Sequence, residues 1–330
     1  MVRVVNSPSH SSGPPICLMR FSTPNGGGFV KKCAHCAPSS GNSSVKPIWR
    51  DVMTTQTLEV LVAAARNGDG KALEAILGTI QKEIYNLALR MLWCPHDAAD
   101  ACQEILLKIV TRLSSFEGRS AFRTWAFRVA VNHLLNQKAG RVEAEHLSFE
   151  QFGADLAQDL AESPASTSDP EYARLIHEVR IGCTHAMLIC LDREHRAAFV
   201  LGDILQLSSQ EAAYVMDLPD AAFRKRRSRA RQRIVEFMRT HCGLVEEAAP
   251  CRCERRVDHA VATGIVNRSS LLFASNDEPS TDELHTHVAE LSALQRSITV
   301  HRRNPMPDAP DPSLDALKQL LRTGAVQSLQ

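Results

Sequence analysis

The sequence predicts an all-α protein of two small helical domains joined by a flexible linker, with a helical C-terminal extension. Apolar residues recur at three- and four-residue steps through residues 57–140 and again through residues 209–240. Aromatic residues make up 5% of the 330-residue chain, which is typical of small helical bundles. We expect a leader at 1–52, a first domain at 53–141, a linker at 142–172, a second domain at 173–240 and an extension at 241–330.

The leader, residues 1–52, is rich in Ser, Pro and Gly and shows no amphipathic period, so we expect it to be disordered. Met53 directly precedes the first helical pattern and is a candidate start codon. Cys33 and Cys36 form a CxxC pair, a weak zinc signature because no second pair lies near it in the chain. No apolar run is long enough to span a bilayer, and no signal-peptide core is visible. We therefore expect a cytoplasmic location, no membrane insertion and reduced cysteines.

The first domain contains a clearly amphipathic segment, DAADACQEILLKIVTRL. One face carries Cys102, Ile105, Leu106, Ile109, Val110 and Leu113. The opposite face carries Asp100, Gln103, Glu104 and Lys108, which we call the polar ridge. The pattern predicts that the apolar face enters the core and that the polar ridge is free to bind a partner.

The next segment, FRTWAFRVAVNHLLNQ, predicts a helix with a mixed surface. Its buried stripe is predicted as Phe122, Trp125, Ala126, Val129, Ala130 and His133. Arg123, Phe127, Arg128, Asn132 and Asn136 lie off that stripe. Aromatic and amide side chains beside arginines suit single-stranded DNA, which needs stacking surfaces and hydrogen bonds to base edges. The alternative is that Phe122 and Trp125 are ordinary core aromatics.

The predicted linker is acidic and ends in SPASTSDP. Its acids include Glu143, Glu145, Glu150, Asp155, Asp159 and Glu162. The pattern indicates a solvated tether, or a negatively charged segment that mimics nucleic acid.

The second domain ends in a helix-turn-helix pattern. LSSQEAAYVMDL is followed by the basic run PDAAFRKRRSRARQR, with Pro219 at the start of the second helix. The packed side of that helix is predicted as Ala222, Phe223, Arg226, Ala230, Ile234 and Phe237. Arg224, Lys225, Arg227, Ser228, Arg229 and Arg231 lie outside it. Such a row neutralises phosphates and reaches base edges in a major groove, although a basic run by itself also fits a solvated helix.

Three blocks together carry a family resemblance: DAADACQEILLKIV, FEGRSAFRTWAFRVAVNHLLN and LDREHRAAFVLGDILQLSSQEAAYVMDLPDAAFRKRRSRAR. They resemble regions two and four of the extracytoplasmic-function (ECF) sigma factors of bacterial RNA polymerase. The resemblance implies core RNA polymerase and promoter DNA as partners, with an anti-sigma factor as a further candidate. It implies that the polar ridge docks on the polymerase clamp helices, with Lys108 beside it.

The same resemblance assigns DNA contacts. Asn132 falls where the family captures a flipped base of the promoter minus-ten element, and Phe127, Arg128, His133 and Asn136 lie around it. Arg224, Lys225, Ser228 and Arg229, flanked by Arg227 and Arg231, fall where region four reads the minus-thirty-five element.

The extension offers soft metal ligands and further helices. His241, Cys242, Cys251 and Cys253 supply enough ligands for a zinc site, so zinc is the one cofactor that the sequence suggests; a redox-active thiol cluster and plain reduced cysteines are the alternatives. Residues 282–302 and 313–326 are predicted helices. An amphipathic tail of this kind folds back on its own protein or binds a partner, so we expect it to regulate the domains before it.

Two other classes of function compete with the sigma factor. A stand-alone helix-turn-helix regulator that senses metal or redox state through the C-terminal cysteines leaves the pattern at residues 97–136 unexplained. An enzyme is not expected, because the His96–Asp97 pair lacks the further ligands that a metal-dependent hydrolase needs.

Overall fold

Helices form the regular structure of this protein in a computed structural model that describes residues 55–138, 147–158, 160, 169–273, 292–305 and 307–310. They are α1 (Thr55–Arg66), α2 (Gly70–Leu92), α3 (Pro95–Thr111), α4 (Phe122–Asn136), α5 (Phe149–Leu156), α6 (Pro170–Ile189), α7 (Arg193–Phe199), α8 (Ser209–Met216), α9 (Asp220–His241), α10 (Cys253–Ala262) and α11 (Ala293–Arg302). A 3-10 turn, Leu113–Ser115, follows α3, and a π-helical turn, Val200–Ile204, continues α7. The all-α prediction is confirmed. None of the helices in these ranges is long and apolar enough to cross a membrane.

The first module, α1–α4, buries the faces that the sequence predicts. α2 begins after Asp69, whose carboxylate accepts hydrogen bonds from the backbone N–H groups of Lys71 and Ala72. It ends at Trp93, which adopts a left-handed conformation with φ of 53°. On α3 the predicted stripe of Cys102, Ile105, Leu106, Ile109, Val110 and Leu113 is buried. The polar side of α3 is consequently left facing solvent.

The second module, α6–α9, contains the predicted helix-turn-helix. α8 opens with a reciprocal capping box between Ser208 and Glu211. Asp217 ends it in the left-handed region, with φ of 57°, and Pro219 directly precedes α9. The packed side of α9 contains Phe223, Ala230, Ile234 and Phe237, all of them buried as predicted.

The predicted linker contains a packed helix, α5. Ser148 and Gln151 form a reciprocal capping box at its start, and the Phe152 ring stacks on Phe237 of α9 with centroids 5.3 Å apart. Asp155 is buried and pairs with Arg256 of the extension at 2.9 Å. The prediction of a flexible, solvated tether is therefore wrong for Phe149–Leu156, because two apolar aromatics find a partner on α9. The parts of the linker at 142–146, 159 and 161–168, like the leader at 1–52, fall outside the described residues.

The two modules are docked on each other and share one apolar core, which differs from the predicted pair of separate domains. α4 of the first module packs along α8 of the second. Arg196 of α7 is buried and donates to backbone carbonyls at Met91 of α2 and, at 3.0 Å, at Leu191. Arg193 donates to the carbonyl oxygens of Leu135 and Lys138 at the end of α4, at 3.3 and 3.1 Å. A guanidinium there satisfies carbonyls that the helix itself leaves unpaired.

The C-terminal extension packs on the second module in two places. α10 lies on α6, where Tyr172, Leu175, Ile176, Val257, Ala260 and Val266 form a small second core. α11 lies across α9 and the π-helical turn. The described part of the predicted helix at 282–302 is thus α11, while the predicted helix at 313–326 lies outside the described residues. The extension reaches the helices next to the basic side of α9.

Candidate polymerase and DNA interfaces

The polar ridge is solvent-exposed on α3, as predicted. Asp100, Gln103 and Glu104 are exposed, and Lys108 is partly buried at the end of the row. Asp100 lies 3.1 Å from His96, one helical turn earlier. The opposite side of α3 is fixed in the core, so the ridge is held rigidly.

Two asparagines at the end of α4 are placed as predicted for contacts with bases. Asn132 and Asn136 are both exposed, and the Asn136 side-chain amide donates to the Asn132 backbone carbonyl at 2.7 Å. The Asn132 side-chain amide points to solvent with no protein partner among the described contacts. Arg193 fixes the carbonyl end of the same helix. An exposed amide on a braced helix can hydrogen-bond an unpaired base.

Three other residues predicted around Asn132 are placed differently. Phe127 is 2% exposed and lies in the core, so its ring is not available to stack on a base. The predicted single buried stripe was too narrow, because α4 is covered by its own module on one side and by α8 on the other. The Arg128 guanidinium is bound to the second module, at Asp217.

His133, the third of these residues, links α4 to the polar ridge instead of facing solvent. Its side chain is 8% exposed, and its Nε2 lies 3.7 Å from the Glu104 carboxylate. Nδ1 lies in hydrogen-bond contact with Lys108 Nζ. Burial and the Lys108 charge lower the pKa of His133, and Glu104 opposes them. The ring is consequently neutral at neutral pH and accepts from Lys108, which orients one end of the ridge.

The predicted DNA-reading row of α9 divides into two faces. Arg224, Lys225, Ser228 and Arg229 are exposed on one side, which we call the basic face. The Arg224 side chain is 63% exposed and pairs only with Asp220 on its own helix among the described contacts. The basic face has the exposure and the charge that phosphate contacts and base-edge contacts require.

Arg227 and Arg231 turn inward to the buried carboxylate of Asp203. Asp203 is fully buried in the π-helical turn. Arg227 binds both of its oxygens, with Nε–Oδ2 at 3.0 Å and Nη2–Oδ1 at 2.9 Å, and Arg231 Nε lies 2.7 Å from Oδ1. Gly202 permits this approach, since a Cβ there would meet the Arg227 side chain at 2.7 Å. These two arginines position α9, which their spacing in the sequence did not reveal.

The residues predicted to hold zinc do not all converge. His241 packs its ring on Phe237, with centroids 4.6 Å apart, and lies against Gly153. Cys242, Cys251 and Cys253 gather instead near Cys183 of α6. Among the described residues, no three His, Cys, Asp or Glu side chains stand together as a ready-made set of metal ligands.

Sequence reasoning missed three residues that organise these surfaces. Asp203 is a single acid inside the apolar run AAFVLGDIL, a pattern that indicates a buried ion pair. Arg193 had no local signal, because its partners lie at the end of α4. Cys183 was separated by 59 positions from Cys242, so spacing alone did not connect them.

Comparison with known proteins places these surfaces in a wider group. Residues 77–142, which include the polar ridge and both asparagines, match the domain family described as sigma-70 region 2. The RNA polymerase sigma-H factor of Pseudomonas aeruginosa is 31% identical over 191 residues, which cover 56% of this chain and 94% of that protein. The ECF RNA polymerase sigma-E factor of Escherichia coli K12 is 33% identical over 190 residues, which cover 54% of this chain and 92% of that protein. The aligned length in each case leaves more than 100 residues of this chain without a counterpart.

Proposed function

The chain belongs to the ECF sigma factors of the sigma-70 family, and from this we propose that it binds core RNA polymerase and directs promoter recognition in transcription initiation. One observation supports this most strongly. The polar ridge and the exposed asparagines lie on two packed helices of the first module, so that polymerase binding and base capture are held in fixed relation. We expect the protein to act in the cytoplasm, where the polymerase is found, and its role requires no covalent chemistry.

Asp100, Gln103 and Glu104 are proposed to contact the polymerase. Their carboxylates and amide are exposed on a helix whose other side is buried, so binding costs little backbone ordering. Lys108 belongs to the same surface and is oriented by His133. Charge complementarity at such a surface sets the rate and specificity of association.

Asn132 is proposed to hold a flipped base of the melted minus-ten element, with Asn136 beside it. A flipped base offers its Watson–Crick edge, and the amide of Asn132 has both a donor and an acceptor for it. Because such a base binds only when it is unpaired, binding shifts the duplex towards the melted state. Arg128 joins this surface only when it leaves Asp217.

The basic face is proposed to bind the duplex minus-thirty-five element. Arg224 and Arg229 are suited to guanine edges and phosphates, while Lys225 and Ser228 supply further phosphate contacts. Arg227 and Arg231 act indirectly, because their bonds to Asp203 fix the orientation of α9. An anti-sigma partner stays a prediction.

Run-off transcription with bacterial core RNA polymerase and genomic promoter fragments tests the proposal. The full chain should give specific transcripts that core polymerase alone does not give. Asn132→Ala and Arg224→Glu should abolish them, whereas Arg239→Glu, an exposed arginine at the far end of α9, should not. Glu104→Lys should abolish pull-down of core polymerase, with Glu117→Lys as the matched control.

A different outcome would favour the stand-alone regulator. That outcome is sequence-specific binding to duplex DNA, lost in Arg224→Glu, without transcripts and without retention on core polymerase.

A further inference from the structure

Four cysteines from three segments meet where the extension joins the second module. Cys183 lies on α6, Cys242 follows α9, and Cys251 and Cys253 stand at the start of α10. The other three thiols all lie close enough to Cys183 to raise its pKa, in addition to the larger effect of burial. All four side chains pack against the main core.

The backbone holds two of these cysteines side by side. Cys242 and Cys251 form an isolated parallel β-bridge. The Gly243 N–H donates to the Cys251 carbonyl at 2.9 Å, and the Cys251 N–H donates to the His241 carbonyl at 3.2 Å. Residues paired in this way project their side chains to the same side of the bridge. The bridge therefore fixes the distance between two thiols before any ligand binds.

A small cavity lies against the other thiols. Its volume is about 60 Å³, and its wall includes Cys183, Cys251, Cys253 and Arg256. The remaining lining is largely apolar, so the cavity is poorly suited to charged small molecules but has room for a single ion among sulfur ligands.

The surroundings of the cluster favour negatively charged sulfur. The Cys242 sulfur accepts hydrogen bonds from the backbone N–H groups of Leu244 and Val245. Arg252 lies near Cys242 and Cys251, and Arg256 lies near Cys183 and Cys251. A divalent ion held by four thiolates carries a net negative charge, which N–H groups and guanidinium groups of this kind stabilise.

We propose that Cys183, Cys242, Cys251 and Cys253 form a four-thiolate site for Zn²⁺ that joins the helix-turn-helix module to the C-terminal extension. The backbone places all four residues, and rotation of the thiols about their Cα–Cβ bonds brings the sulfurs to the metal, about 2.3 Å from zinc. His241 is not a ligand, because its ring is held between Phe237 and Gly153.

The protonation of the thiols argues against a peroxide sensor at this place. Burial and the neighbouring Cys242 thiol raise the pKa of Cys251 to about 12, and burial raises the pKa of Cys242. Neutral thiols react poorly with oxidants, since the thiolate is the nucleophile. Zinc reverses this by displacing the protons and replacing repulsion among the sulfurs with attraction to the ion.

Metal content of the full-length chain tests the site. Protein purified without oxygen and incubated with Zn²⁺ should retain one zinc per chain after desalting. Cobalt in place of zinc should give the absorption of a tetrahedral ion with four thiolate ligands, a measurement that needs no variant. Cys183→Ser and Cys251→Ser should lose most of the bound metal, whereas His241→Ala and Cys190→Ser, a cysteine outside the cluster that directly follows α6, should keep it.

Three results would overturn the proposal. They are a chain that retains no zinc, a cobalt spectrum with fewer than four thiolates, and a Cys242–Cys251 disulfide found by mass in protein that holds no metal. None of these readouts depends on transcription, so the site and the proposed sigma-factor function are tested separately.

Discussion

Arg128 of α4 binds Asp217 of the helix-turn-helix across the boundary between the two modules, with Nη2–Oδ1 at 2.8 Å. The same guanidinium donates to the Tyr214 carbonyl at 2.8 Å and lies 4.6 Å from the centre of the Tyr214 ring. A residue implied in contacts with the minus-ten element is thus occupied by the module that is proposed to read the minus-thirty-five element. The docked arrangement and DNA capture by Arg128 exclude each other.

Substitution of Arg128 should loosen the docking of the modules. The Asp217 side chain is 73% exposed, so the ion pair is worth at most about 1 kcal/mol, and the ring contact adds about 0.5–1 kcal/mol. Arg128→Ala should therefore speed hydrogen exchange of the backbone amides in α8 by about tenfold. Arg119→Ala, an exposed arginine that pairs within its own loop, is the control. Equal protection in the two variants would show that Arg128 does not hold the modules together.

Asp203→Asn should destabilise the protein strongly. The substitution leaves Arg227 and Arg231 facing a neutral amide in place of a buried carboxylate. Because these arginines are 23% and 32% exposed, we expect a loss of about 2–4 kcal/mol in the free energy of unfolding, below the full cost of a broken buried pair. Urea denaturation measures it. Glu236→Gln, on the exposed side of α9, should change it by less than about 0.5 kcal/mol, and similar losses in both variants would contradict the assignment.

Arg224 and Arg227 should behave in opposite ways, although both lie in the same basic run. Arg224→Ala should leave the urea midpoint nearly unchanged, weaken binding to minus-thirty-five duplex DNA and reduce the salt dependence of binding by about one phosphate contact. Arg227→Ala should lower the midpoint, because it removes a partner of buried Asp203. Fluorescence anisotropy at several salt concentrations checks the first effect. A loss of the salt dependence in Arg227→Ala with an unchanged midpoint would show that Arg227 contacts DNA directly.

The faces of individual helices were predictable because the period of apolar residues reports which side is buried. That holds for Ile105 and Ile109 on α3 and for Phe223 and Ile234 on α9. The period does not report how many neighbours cover a helix. Phe127 is buried although it lies off the predicted stripe, because α4 has both its own module and α8 around it.

The candidate site was predictable where it depends on exposure and not where it depends on distant partners. Asn132 and Arg224 are exposed on their helices as expected. The pairing of Asp155 with Arg256 joins residues 101 positions apart, and no local pattern reveals such a contact. The linker therefore looked like a solvated tether in the sequence, although α5 binds the extension and α9.

His301 of α11 gives the fold a built-in sensitivity to acid. Its side chain is buried, at 1% exposure, and its ring meets Phe199 edge-on at 5.3 Å. Burial, together with the smaller effects of nearby His185 of α6 and Arg90 of α2, lowers the pKa of His301 from 6.5 to about 3. The folded protein therefore keeps this ring neutral at a pH where the unfolded chain has already taken up a proton.

The stability of the protein should consequently fall as the pH drops below 6.5. The contribution of His301 is complete above the unfolded pKa of 6.5 and is lost by about 1.4 kcal/mol per pH unit down to the folded pKa of about 3. His301→Gln cannot be protonated, so its free energy of unfolding should decline less steeply between about pH 6 and pH 4 by about that slope. Urea denaturation at several pH values measures the difference, with the surface substitution His96→Gln as the matched control. Parallel curves for wild type and His301→Gln would mean that the ring gains solvent or a partner on acidification, and that α11 yields before the core does.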